Sequence, residues 1–130
     1  SNPDTGEVQD NGGCYLTTAC MQHYKDYFDD DCYELNVLRW FRDTMVPHAD
    51  IQDYYKYAPK IIEGINANQH KEQYYDFIYH KVVEDCVHAI ENKDFQFAYK
   101  RYKRSVQLLK NQFVPEDGMF NQINSQLENE

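Results

Sequence analysis

Apolar residues recur three and four positions apart through most of the chain, and few residues interrupt that rhythm. From Cys14 to Asp117 the only glycine is Gly64, and the only prolines are Pro47, Pro59 and Pro115. An all-β domain needs frequent turn residues, so the pattern predicts an all-α domain, a helical bundle of about five helices joined by short polar links. A first helix begins near Thr17 or Thr18, either of which can cap exposed N–H groups, and carries Cys20, Tyr24, Tyr27 and Phe28 on one side. Asp29-Asp30-Asp31 ends it and caps the next, because carboxylates suit a helix N-terminus. The second helix presents Leu35, Leu38, Phe41 and Met45 and stops near Val46, where Pro47 disfavours helical backbone. A third follows Asp50, with Tyr54, Ala58, Ile61 and Ile65 on one stripe. Pro59 lies inside it, removes the hydrogen bond to the Tyr55 carbonyl, and predicts a kink or a split.

The fourth helix spans roughly residues 70–92, with Tyr75, Ile78, Val82, Cys86 and Ala89 inward. The fifth spans about 95–113, on a stripe of Phe95, Ala98 or Tyr99, Tyr102, Val106, Leu109 and Phe113. Only Asn92-Lys93-Asp94 separates them, with Asp94 as the cap, so the two form a long antiparallel C-terminal pair. Residues 1–13 are polar and aperiodic and read as a flexible arm or tag remnant. Residues 14–130 read as a single helical domain that ends in a short amphipathic helix within 114–130. That segment offers Phe120, Ile123 and Leu127 either to the bundle, the preferred reading, or to a partner.

Composition narrows the function classes. A chain of 130 residues, 42% hydrophobic and 27% charged, has the apolar content for a core and is not wholly disordered. Its apolar runs are far too short to span a bilayer. The net charge of −9 repels a phosphate backbone, so nucleic acid is not an expected partner. Four cysteines, Cys14, Cys20, Cys32 and Cys86, are too few for a disulfide scaffold at this length. No secretion signal precedes them, so reduced thiols in a cytoplasmic protein are expected. Twelve tyrosines make much of the apolar fraction amphipathic, with rings to bury and hydroxyls to satisfy.

Three ordered segments carry a family resemblance. Cys14-Tyr15-Leu16-Thr17-Thr18-Ala19 has a cysteine, two apolar residues and a small-Thr-Ala run; Val37-Leu38-Arg39-Trp40-Phe41-Arg42-Asp43 contains a Leu-Arg-x-Phe-Arg-Asp run; Tyr54-Tyr55-Lys56-Tyr57-Ala58-Pro59 is tyrosine-rich and closes in proline. Residues 14–65 thereby resemble the CFI-box, a small bacterial domain without an assigned activity. The resemblance implies that Cys14, Thr18, Arg39, Arg42, Asp43, Tyr54 and Tyr55 matter, as a ligand-binding set. The chain departs from the pattern at Cys20, where many relatives carry alanine, and in its acidic Asp29-Asp30-Asp31-Cys32 loop.

The residues themselves suggest several chemistries. Cys14, Cys20, Cys32 and His23 could surround a tetrahedral zinc, although their spacings are not those of paired zinc ligands; packed thiols are the plainer expectation. Cys20 or Cys14 near a helix N-terminus could be an activated nucleophile, with His23 as base and Asp43 or Asp26 to orient it. Arg39 and Asp43 stand i, i+4 and can pair, and Arg39, Arg42 and Asp43 with the hydroxyl of Tyr54 or Tyr55 could bridge the second and third helices. The same two arginines could instead hold a small anionic ligand. Asp76, His80, Glu84 and His88 form an i, i+4 ladder, of which His80, Glu84 and His88 could clip a metal if another helix added a ligand. Lys100-Arg101-Tyr102-Lys103-Arg104 is a basic arc, either a solvated face against Asp29–Asp31 or a patch for an acidic partner. A non-enzymatic binding or protein-interaction module that uses no cofactor is the leading expectation, a thiol enzyme or thiol-redox protein using Cys14 or Cys20 is its rival, and a metal-binding helical protein is a weaker third reading.

Overall fold

The computed structural model describes residues 15–25 and 29–114. Six α-helical segments and one π-helical stretch follow in order: α1 (Tyr15–Tyr24), α2 (Tyr33–Met45), α3 (His48–Asn66), α4 (Lys71–Phe77), the π stretch (Ile78–Glu84), α5 (Asp85–Glu91) and α6 (Phe95–Phe113). The α4, π and α5 stretches run on without a break, so the architecture is an all-α bundle of five rods. Among the described residues no helix is long and apolar enough to cross a membrane. The arm at residues 1–13, Cys14, Asp26, Tyr27 and Phe28, and the C-terminal segment from residue 115 lie outside the described residues.

The hairpin of the 71–91 rod and α6 forms as the periodicity requires. Asn92 and Lys93 turn the chain, with Lys93 in the left-handed region at φ 61°, and the Asp94 carboxylate accepts from the Phe97 N–H. Tyr75, Ile78, Val82, Cys86 and Ala89 are all buried, as are Ala98 and Leu109 of α6. The α6 helix packs on α5, on the π stretch and on α3, while α2 covers α5.

The remaining elements differ from the sequence expectation in instructive ways. The first helix starts at Tyr15, upstream of either threonine, and Leu16 to Met21 are all buried. That stretch has no solvent face because it is wedged between α3 and the π stretch, while Gln22 and Tyr24 at the end of the helix are exposed. Its early N–H group at Leu16 donates to the buried Tyr54 hydroxyl at 2.6 Å, so a tyrosine from α3 supplies the cap that a threonine was expected to give. The acidic loop does not cap α2. The N-cap is Cys32, with no side-chain cap bond, while Asp31 N–H folds back on Asp29 Oδ1 and Asn36 holds Asp31. Met45 is exposed rather than inward, because α2 has already reached the rim of the bundle.

Pro59 does not split α3, which runs unbroken for 19 residues. Pro59 is exposed, while the preceding Ala58 is fully buried, so the missing donor falls on the outer side where water can serve the Tyr55 carbonyl. The fourth rod is not a regular α-helix either. In a π turn each N–H reaches back five residues instead of four, which widens the rod and lets Ile78 and Val83 both reach 0% exposure.

Candidate functional site

A cavity of about 50 Å³ lies where five rods meet. Leu16 and Thr17 of α1, Phe41 and Arg42 of α2, Tyr54 of α3, Val82 and Cys86 of the 71–91 rod, and Tyr102 and Val106 of α6 all line it. The wall is mostly apolar. The π stretch bears directly on this: it carries Val82 inward on the same rod as Cys86, and both reach the cavity.

Arg42 is the charged residue of the lining. Its Nε and Nη2 hold Asp43 Oδ1 at 2.7 and 2.6 Å, on the solvent side, where Asp43 is 64% exposed. Its Nη1 is buried and has no hydrogen-bond partner among the described residues. A buried donor left unpaired costs about 1–3 kcal/mol, more when it is charged. The guanidinium therefore has one edge satisfied by Asp43 and one buried nitrogen without a partner, on a residue that lines an apolar cavity. Tyr54 and Tyr102 pack ring against ring at 5.7 Å beside it.

The resemblance-derived set separates. Arg42 and Tyr54 line the cavity, and Asp43 touches it only through Arg42. Thr18 is buried one position beyond the cavity-lining Thr17. Arg39 pairs not with Asp43 but with Asp30, through Nη1 to the carbonyl at 2.6 Å and Nη2 to the carboxylate at 2.7 Å. Arg39 thus ties the acidic loop to α2, and the predicted bridge to α3 does not form through it. Tyr55 is exposed and meets Tyr15 edge-on at 5.7 Å. Cys14 lies outside the described residues.

The nucleophile expectation fails at Cys20. The thiol sits at 0% exposure in the sixth position of α1, beyond the first turn, and approaches the Tyr75 carbonyl at 3.5 Å. Burial, helped by the Asp76 charge, pushes its pKa up to about 12, the opposite of activation. His23 faces Glu72 at 2.8 Å and stacks on the Tyr75 ring at 4.5 Å, so it does not serve as the base of that thiol. Of the two expected orienting groups, Asp43 is on Arg42, and Asp26 lies outside the described residues. Cys86 is likewise pushed up to about 12 by burial, against a partial opposing pull from Arg101.

The metal expectations do not assemble. Among the described residues no three His, Cys, Asp or Glu side chains gather around a common point. His80 meets Glu84 at 2.8 Å, but His88 lies by Asn92 at 3.2 Å, so the ladder breaks between Glu84 and His88. Cys20, Cys32 and Cys86 are free thiols, and Cys32 opens α2 apart from Cys20. The basic arc of α6 answers other acids than those foreseen: Arg101 pairs with Asp85 at 2.6 Å, and Lys103 approaches Asp50 at 3.7 Å.

Sequence reasoning missed Thr17, Cys86, Tyr102 and Val106 as members of one site. All but Thr17 lie on inward stripes of the predicted fourth and fifth helices, so they were visible as core but not as cavity wall. The sequence matches no protein-family model, no curated protein and no solved structure.

Proposed function

We propose that the protein is a non-enzymatic binding module whose central cavity takes a small carboxylate. The carrying observation is the buried Arg42 Nη1 without a partner at an otherwise apolar cavity. A carboxylate accepts charge-assisted hydrogen bonds from a guanidinium, and the methyl group of acetate would pack against Phe41, Val82 and Val106. Size limits the guest. An apolar cavity of about 150 Å³ holds benzene with its six heavy atoms, so a volume one third of that admits only the smallest carboxylates, formate or acetate. Arg42 and Tyr54 also fall on the segments through which residues 14–65 resemble the CFI-box, which supports reading that family's Arg and Tyr positions as ligand-facing.

The thiol-enzyme alternative has no support at Cys20, whose buried thiol stays protonated at neutral pH. The test is thermal denaturation with formate, acetate and propionate at constant ionic strength. A guest that binds only the folded state raises stability by about 2.7 kcal/mol at one hundred times its dissociation constant. The midpoint should rise with formate or acetate, and Arg42→Met should abolish the rise while leaving the fold intact. No rise up to about 50 mM, or an equal rise in the Met variant, would refute the reading.

A further inference from the structure

The side of the bundle formed by α2 and the 71–91 rod carries a second feature, separate from the central cavity. Two shallow grooves, of about 300 and 310 Å³, meet there at Tyr33 and Glu91. The Tyr33 hydroxyl donates to Glu91 Oε2 at 2.6 Å and ties the two helices together at the junction. The floor is apolar: Val37 and Ile90 in one groove, Val83 and Val87 in the other. Aromatic rings form the walls. Trp40 is 47% exposed and Tyr33 is 58% exposed, and both stay in water although they are large and apolar. The rim carries Glu34, Glu84 and Glu91 with His88 beside them, and among the described residues neither groove is lined by a lysine or an arginine. The two grooves run from Tyr79 to Glu91 along the rod, about 18 Å at helical rise, or some three helical turns.

We propose that this trough is a docking site for a basic amphipathic helix of another protein, with its apolar face on the Val37–Ile90 floor and its lysines or arginines against Glu34, Glu84 and Glu91. Charge complementarity selects this occupant. A helix that is apolar on one side and cationic on its flanks satisfies floor and rim together. An acidic helix meets three carboxylates, and an anionic lipid surface meets the same repulsion. The exposed Trp40 and Tyr33 are the anchor types that dominate such interfaces.

Trp40 is the chain's only tryptophan and reports directly on the trough. The probe is a synthetic 14-residue helix of leucine and lysine, free of aromatic residues, with a leucine–glutamate helix as its counterpart. The lysine peptide should move Trp40 emission to shorter wavelength in a saturable way, and the glutamate peptide should not. The E34Q/E84Q/E91Q variant should weaken binding about tenfold or more, whereas D53N/E63Q/E72Q, with the same change in net charge outside the trough, should weaken it less than about twofold. Equal losses in the two variants would reduce the effect to general attraction by an acidic molecule and overturn the proposal. So would equal binding of both peptides, or saturable binding that leaves Trp40 emission unchanged. An emission that shifts with protein concentration alone, alongside dimerisation in sedimentation, would assign the trough to a second copy of the chain and overturn the proposal as well.

Discussion

Single side chains set the character of this protein more than its composition suggests. Tyr54 illustrates it: one hydroxyl caps α1 from another helix while its ring walls the cavity. Tyr54→Phe should keep the ring packing and lose the acceptor, at a cost of about 1–3 kcal/mol in urea denaturation. The buried thiols predict a pH dependence. Cys20 and Cys86 have ordinary values of 9.0 and folded values of about 12. A raised thiol pKa means that folding favours the protonated form, so its contribution is whole below pH 9 and is lost as pH rises toward 12. Unfolding free energy should fall steeply across that window, and less steeply in the Cys20→Ala/Cys86→Ala variant. Both thiols should also resist iodoacetamide at pH 8 until the protein unfolds. The sequence revealed which residue types were available but not how they paired. Arg39 had Asp43 one turn away and took Asp30 across a loop instead, because loop conformation is not written in helical spacing.

At the level of elements, the rods were legible because apolar spacing and breakers agree along them. Their irregularities were not, since each depends on a neighbour. Gly64 stood out in sequence only as the single glycine between Cys14 and Asp117, yet a Cβ there would meet the Phe113 ring at 2.5 Å. Helix propensity alone favours alanine over glycine by about 1 kcal/mol. The close approach of α6 reverses that: Gly64→Ala should destabilise by about 1–3 kcal/mol, and a raised melting temperature would contradict it. Pro59 points the other way. It is exposed within an intact helix, so Pro59→Ala should restore one backbone bond and raise the melting temperature. The π stretch had a faint trace in sequence, the adjacent valines Val82 and Val83, but two apolar neighbours also suit a broad α-helical stripe. Only the surrounding rods determine that both are buried.

On the scale of the whole molecule, fold class was readable and the site was not. The bundle follows from repeated local pattern, whereas the cavity arises where five rods fail to close completely, a property of no single segment. Native-state hydrogen exchange should find the amides of the second half of α1 among the slowest, opening only with global unfolding, despite the brevity of that helix. This placement has a consequence for how the chain is made. A ten-residue helix is not stable alone in water, and α1 leaves the ribosome before α3 and the π stretch that enclose it. Until they follow, Leu16 to Met21 form a naked greasy tract on the nascent chain, the place where a chaperone would take hold.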